Sequence, residues 1–483
     1  MVHHEQVCGF TPYPDSIHRL EGCTVFMANT DAGDRLIVIG QSLGFVGERE
    51  QREDKECLVA PLSHENARRL RQVFPFTAPR PGLQGGCSVG VGDRLGVATA
   101  GHLRVFKKYP QVFPVLAQQS IRELNLTQRS YEDVLDCATF AVFKAGYKRG
   151  FGADGDHLKK PEEIEYALRC GYSMITLDCS EHIRGDAAHL SGEELAARYR
   201  PDSELEGLYL DQEIVITPGV TLSFDRDNFM RTVLIYGQAI GFMRDIYARY
   251  VQGQPVDFEI SIDETMTPTT PLQHYFVANE LVRHGVRFAS LAPRFCGEFQ
   301  KGIDYIGDVE QFSRELAVHD AIAKKFGYKV SVHSGSDKFM VFPAVGRLTG
   351  SVFHLKTAGT NWLEAVRLVA MKDPAFYREL HAFALNSFAE ATAYYHVTTD
   401  LGRIPDINTL SDEQLPDLMN HNDARQLLHI TYGLILTAKD EAGNRTLRDR
   451  LYALLDTYAD DYAALLEGHI GRHLALLLGE TQA

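Results

Sequence analysis

Between residues 24 and 59 short apolar runs of β type, such as Leu36-Ile37-Val38-Ile39, alternate with turn residues, a pattern that predicts a small β-rich N-terminal region. The stretch Phe74-Pro75-Phe76-Thr77-Ala78-Pro79-Arg80-Pro81 then leads into glycine-dense sequence and marks a boundary near residue 80. Beyond it the rhythm changes, and short apolar runs alternate with segments of helical period. Strands are predicted over 113–117, 150–153, 174–177, 258–262, 288–291, 329–332 and 352–355, with a further one near 95–99. Helices are predicted between them, near 131–143 and 161–169 in the first units. Alternating β and α units imply a parallel sheet, and eight of them favour a closed (β/α)8 TIM-like barrel over an open doubly wound sheet. The barrel is assigned to residues 81–372 and the β-rich region to 1–80.

Two segments depart from the repeating unit. Residues 181–224 are too long for an ordinary connection and have helical character over 192–199, so they predict an insertion, one that could cover an active site. Beyond Asp373 the chain turns leucine-rich and helical, through 376–393, 424–436 and 447–478, which predicts a helical C-terminal extension over 373–483.

Composition agrees with a compact fold: 45% of residues are hydrophobic and 23% charged, close to the globular average. The 49 basic and 64 acidic side chains give a net charge of -15, which opposes a general nucleic-acid or anionic-membrane surface. An anionic ligand would need a locally basic pocket. Eight cysteines are scattered without a CxxC pair and are expected to be reduced thiols. The start, Met1-Val2-His3-His4-Glu5, has no basic segment followed by an apolar run, and no segment approaches the roughly 18 apolar residues of a membrane span, so a cytoplasmic address is expected. A homo-oligomer is compatible with all of this.

In a parallel barrel the reacting groups sit where strands end. Asp154-Gly155-Asp156-His157-Leu158-Lys159 follows one predicted strand, Asp263-Glu264-Thr265 another, and His333-Ser334-Gly335-Ser336-Asp337-Lys338 a third; the last ends in His354-Leu355-Lys356. A catalytic divalent metal takes about three nitrogen and oxygen ligands and leaves a position open, a need that His157, His333 and His354 would meet. Each could equally be an ordinary interior histidine. Asp156 and Glu264 offer two carboxyl groups for general-base and general-acid duty, or alternatively cap helix N-termini. Glu259 competes with Glu264 but lies near the start of its strand and is expected to point away from the mouth. A calcium loop at Asp154-Gly155-Asp156 is disfavoured because Leu158 stands where an oxygen ligand belongs.

The glycine-rich segment 82–96 matches neither a dinucleotide fingerprint, since Leu95 occupies the third glycine position, nor a nucleotide triphosphate loop, since no GKS or GKT follows. Tight turns explain it best. Arg94 within it could offer a fork to a substrate carboxylate, and Lys159, Lys338 and Lys356 could add positive charge beside the candidate ligands.

The segments Gly90-Val91-Gly92-Asp93-Arg94-Leu95-Gly96-Val97-Ala98-Thr99-Ala100-Gly101-His102, Gly150-Phe151-Gly152-Ala153-Asp154-Gly155-Asp156-His157-Leu158-Lys159 and His333-Ser334-Gly335-Ser336-Asp337-Lys338-Phe339 together resemble the tagaturonate epimerase family. Glu467-Gly468-His469-Ile470-Gly471-Arg472-His473-Leu474 looks like that family's C-terminal helix. The resemblance implies an enzyme of hexuronate breakdown that interconverts D-tagaturonate and D-fructuronate, with related activity on tagatose and fructose. It implies His157, His333 and His354 as ligands of a divalent ion, Asp156 as proton acceptor and Glu264 as proton donor. Histidine nitrogens suit zinc, nickel, manganese, cobalt and iron, so the metal stays open.

The inverted carbon lies one position beyond the carbon next to the ketone, so enolisation alone does not epimerise it. Metal-assisted retro-aldol cleavage, rotation of the aldehyde fragment and re-formation of the bond is the expected route. A transient redox step is the rival, and the sequence lacks a nicotinamide fingerprint. Two other functions use the same residues: a class II aldolase-like lyase, and a non-catalytic sugar-acid binding protein.

Overall fold

The structure is a computed structural model and describes residues 6–53 and 55–479. Met1 to Glu5, the start in which no targeting segment is read, lie outside the described residues. The β-rich region is a five-stranded antiparallel sheet of His18–Leu20, Cys23–Thr30, Gly33–Gly40, Glu48–Arg52 and Lys55–Ala60. Its side chains alternate between two faces. Val25, Met27, Leu36 and Val38 pack against helix His64–Val73 and Phe143, while Phe26, Ala28 and Ile37 pack with Cys8 and Phe10. All eight cysteines are free.

Eight parallel strands then close a barrel: β1 (Cys87–Val91), β2 (Val112–Ser120), β3 (Gly152–Leu158), β4 (Met174–Asp178), β5 (Asp257–Ile262), β6 (Ser290–Pro293), β7 (Lys329–Val332) and β8 (Phe353–Thr357). Each pairs with its successor, and β8 pairs with β1 to complete the ring. Among the surrounding helices are α1 (Ile121–Thr127), α2 (Arg226–Ile246), α3 (Pro271–Arg283) and α4 (Val309–Phe326), and the C-terminal extension includes α5 (Asn422–Ile430) and α6 (Ala459–Leu478).

One expected strand is absent: residues 95–98 form no strand, and Thr99 opens the helix Thr99–Lys108. The first barrel strand lies instead in the glycine-rich segment whose composition reads as turns. Gly90 explains the misreading, because a Cβ there would overlap the side-chain amide of Gln118 on β2. The glycine serves close packing inside a strand.

The barrel interior is polar. In β5, Phe258, Ile260 and Ile262 alternate with Glu259 and Ser261, and the next inward position is Asp263. β7 and β8 repeat the scheme: Val330 and Val332 alternate with Ser331 and His333, and Phe353 and Leu355 with His354 and Lys356. The apolar set joins the main core with the helices, and the polar set meets inside the ring.

The insertion at 181–224 does not cover the barrel mouth. It lies on the outer helices, where Arg231 of α2 donates to the carbonyls of Ala187, Ala188 and Leu190, Tyr209 donates to Glu280 of α3, and Lys325 of α4 donates to the Val215 carbonyl. Its apolar residues, including Leu195, Tyr209 and Phe224, are consumed by that packing. The extension builds a second core around Trp362, Phe376, Tyr377, Leu427 and Tyr432. Its last helix, α6, sits so close to helix Phe342–Thr349 that a Cβ at Gly346 would strike the Leu477 carbonyl. Among the described residues no helix is long and apolar enough to cross a membrane.

Beneath the outer layer, His274 of α3 and His319 of α4 meet Nδ1 to Nδ1 at 2.8 Å, and Tyr328 Oη lies 2.5 Å from His274 Nε2. Both rings are fully buried. One proton serves the Nδ1 pair; a second would set N–H against N–H. Burial depresses both pKa values, His319 to about 4. The folded value lies below the unfolded one near 6.5, so the neutral pair contributes fully above about pH 6.5 and loses its contribution as the pH falls towards 4. His319 alone should remove on the order of 3 kcal/mol of unfolding free energy across that interval. Urea unfolding at several pH values checks this: His319→Gln should flatten the acid slope, and an unchanged slope would assign it elsewhere.

Candidate active site

A cavity of about 330 Å³ opens at the C-terminal ends of the strands. β3 enters it through an irregularity. Its register with β4 shifts between Gly155 and Leu158, and His157 takes a left-handed conformation with φ 52°. A regular strand would send consecutive residues to opposite faces; the bulge lets both Asp156 and His157 face the cavity. These residues therefore belong to the strand itself and do not follow it.

Asp156 Oδ1 lies 2.7 Å from His157 Nδ1, which leaves His157 Nε2 turned towards Asp263 Oδ1 at 3.8 Å. His333, just beyond β7, places Nδ1 3.1 Å from the same Asp263 oxygen and Nε2 2.7 Å from Glu259 Oε1. The rings of His157 and His333 are 4.9 Å apart at their centroids. One donor atom from each of His157, Asp263 and His333 lies within 4.8 Å of the other two, a spacing suited to holding a cation. Glu259 is therefore not directed away from the site: it is fully buried below His333 and also accepts from Ser290.

His354 stands outside that trio. Its Nδ1 lies 2.9 Å from Ser88 Oγ, and its Nε2 is buried without a hydrogen-bond partner among the described residues. Burial pushes its pKa down to about 3, so the ring is neutral and Nε2 has a lone pair to offer if Nδ1 carries the proton. His354 neither joins the trio nor lines the cavity, and its unpartnered buried nitrogen is one that a further ligand would complete.

Two inward positions on, Lys356 carries an ammonium surrounded by carboxylates: Asp154 at 2.7 Å, Asp156 at 2.8 Å and Glu259 at 2.9 Å, with Thr176 Oγ1 also in contact. Burial works against its charge, but the three carboxylates outweigh burial and hold the ammonium protonated. Asp156 is pushed up by burial and down more strongly by His157 and Lys356, so it stays ionised. Asp154, as fully buried as Glu259, is raised to about 6 by burial and by the other carboxylates. Lys356→Met should destabilise the fold by about 3 to 5 kcal/mol, because it strands these anions without a cation. Chemical denaturation checks this, with Lys356→Arg expected to recover part of the loss.

Glu264, the second residue of the loop that follows β5, lines the cavity with Lys159 Nζ at 3.7 Å and Arg122 at 3.8 Å. Burial raises its pKa, but His157, Arg122 and Lys159 outweigh it and keep the carboxylate ionised at rest. Its side chain is 38% exposed and exchanges protons with water.

The chain as a whole has counterparts. The chain matches the family model described as tagaturonate epimerase over residues 13–477. The chain belongs to that family. A Thermotoga maritima protein named tagaturonate/fructuronate epimerase is 40% identical over 481 residues, covering 98% of each chain. The fructuronate-tagaturonate epimerase from Cohnella laeviribosi, solved in native form and with glycerol, is 51% identical, with a TM-score of 0.94 over 97% of this chain and 96% of that one. This member of the tagaturonate epimerase family is an isomerase built on a TIM-like barrel.

Of the residues singled out in the sequence, Arg94, Asp156, His157, Glu264, His333 and Lys356 line the cavity. Arg94 has spent most of its fork: Nε and one terminal nitrogen donate to Glu123 Oε1 at 3.1 and 2.9 Å, and its plane stacks 3.9 Å from the Tyr432 ring. Lys159 reaches Ser180 and Asp178 outside the lining. Lys338 is fully buried, donating to the carbonyls of Gln300, Ile303 and Ser336, and burial brings its pKa down to about 7. That ammonium ties two loops together and faces away from the mouth.

A second His and carboxylate group, Asp337, His469 and His473, lies behind the loop after β7. Arg425 approaches Asp337 Oδ2 at 2.6 Å, and the Asp337 backbone N–H already donates to His473 Nε2. A guanidinium at that range opposes a cation, so the group acts as a buried ion-pair network fastening α6 and α5 to the loop that carries His333.

Proposed function

We propose that this chain interconverts tagaturonate and fructuronate with the help of a divalent cation at the barrel mouth. His157 and His333, with Asp263 and the unpartnered Nε2 of His354 as further donors, would hold the ion. The observation that carries this reading is the meeting of the His157, Asp263 and His333 donors in the same cavity as Asp156 and Glu264. When bound, the ion supplies positive charge that polarises the ketone and offsets the negative charge of an enediolate.

The chain's own groups manage the protons. Both bonds to Asp156 fall on Oδ1, which leaves Oδ2 for the hydroxyl on the inverted carbon. Asp156 takes that proton, and the bond between this carbon and the carbon next to the ketone breaks. The electron pair passes into the ketone-bearing fragment as an enediolate, and the other carbon becomes an aldehyde. The aldehyde turns and the bond re-forms on its opposite face; Glu264, ionised at rest, takes a proton from water at its exposed edge and passes it to the new alkoxide. The proton held by Asp156 returns to solvent, so the cycle is balanced and both carboxylates end as they began.

Incubating metal-loaded protein with tagaturonate and chromatographing the products tests the reading. Fructuronate as the single new acid supports it. Release of two three-carbon fragments would instead make the chain a lyase, and binding without conversion would make it a sugar-acid binding protein.

A further inference from the structure

The cavity has a second polar group that the proton and metal chemistry does not use. Arg122 lies in the first turn of α1, at a helix start fixed by Ser120, whose hydroxyl accepts from the Glu123 N–H. Its guanidinium stacks 5.2 Å from the Tyr395 ring, and its nearest carboxylate is Glu264 at 3.8 Å. Lys301, in the loop beyond β6, donates to the Ser334 hydroxyl at 2.9 Å and to no other group among the described residues. Arg94 keeps one terminal nitrogen buried and unpartnered among the described residues, and so are both amide atoms of Gln118 and both ring nitrogens of His429. All five side chains line the cavity.

Buried donors without partners are costly unless a ligand completes them. Here Arg94, Arg122 and Lys301 bring three positive charges, Glu123 is taken up by Arg94, and Glu264 only partly offsets Arg122. In a chain of net charge -15, Lys301 without a carboxylate partner among the described residues and Arg122 only loosely paired leave a local excess of positive charge on this side of the cavity, which suits an anion.

We propose that Arg122 and Lys301, completed by the free nitrogen of Arg94, form the subsite for the substrate carboxylate and hold the carboxylate-bearing fragment while its aldehyde turns. This rests on the epimerase reading above. In both keto-acids the ketone and the carboxylate stand near opposite ends, so cleavage leaves the carboxylate on the aldehyde fragment, as a three-carbon hydroxy-aldehyde acid. Anchored by its carboxylate, that fragment rotates about its own single bonds and stays to be recaptured; unanchored, it escapes and the enzyme becomes a lyase. Arg122 and Lys301 would thus set both the preference for acids and the commitment to epimerisation.

Lys301→Met and Arg122→Met test this, each first checked for wild-type melting behaviour and metal content. Charge-assisted contacts of this kind are worth ten- to a hundredfold in binding, so KM for tagaturonate should rise by that factor. Free three-carbon aldehyde acid, trapped as its hydrazone, should appear in the variants and not in wild type, and Lys301→Arg should restore much of the KM. If one variant fails to fold, the other carries the test. A raised KM with no released fragment would overturn the retention role, and a wild-type KM in both variants would overturn the subsite while leaving the epimerase reading intact. Absence of turnover by the wild-type protein would overturn that reading and the subsite with it.

Discussion

His333→Ala should yield a folded protein that purifies with little divalent metal and has lost at least about a thousandfold in turnover. His333 is the one imidazole that touches both Asp263 and Glu259, at 3.1 and 2.7 Å, so its removal dismantles the donor group at its centre. Lewis-acid stabilisation is worth several kcal/mol, and each 1.36 kcal/mol is about tenfold in rate. The loss should exceed that from removing an outer partner alone, which is about ten- to a hundredfold. Elemental analysis beside the assay separates causes: metal retained at wild-type level with activity lost would show that His333 acts on substrate and not on the ion. His354→Ala should lower metal content as well if its free Nε2 completes the ion as proposed, and unchanged metal content would remove His354 from the donor set.

Glu264→Gln should retain the metal and the fold yet lower kcat by about a hundred- to ten-thousandfold, the usual worth of a positioned acid or base. The side chain is partly exposed and its neighbours Arg122 and Lys159 also have other contacts, so an isosteric amide leaves little strain. KM should move less than kcat, because a proton donor acts in the transition state. A variant of near wild-type kcat would remove Glu264 from the reaction.

Much of this site is legible in the sequence. Polar residues that follow apolar runs include Asp156, His157, Glu264 and His333, and all four lie at the mouth. The stronger signal is inside the strands: Phe258-Glu259-Ile260-Ser261-Ile262-Asp263 and Phe353-His354-Leu355-Lys356 alternate at period two, which puts every polar member on the inner face. Applied to β5, that rule keeps Glu259 in the barrel and adds Asp263 to the donors. β3 breaks the rule through the bulge at His157, which no period reveals. Arg122 carried a signal too, since Ser120-Ile121-Arg122-Glu123 is a capping box that opens a helix directly after a strand. Lys301 and His429 carried none, because long-range packing of the loop after β6 and of the extension brings them to the cavity.

Hydrogen bookkeeping during turnover tests the central claim most directly. Metal-loaded protein converting tagaturonate in deuterium oxide should give fructuronate whose inverted carbon keeps its original hydrogen, as proton magnetic resonance of the product would read, because a carbon–carbon bond and not that carbon–hydrogen bond is broken. Deuterium at the inverted carbon, or equal conversion by protein stripped of metal, would contradict the account.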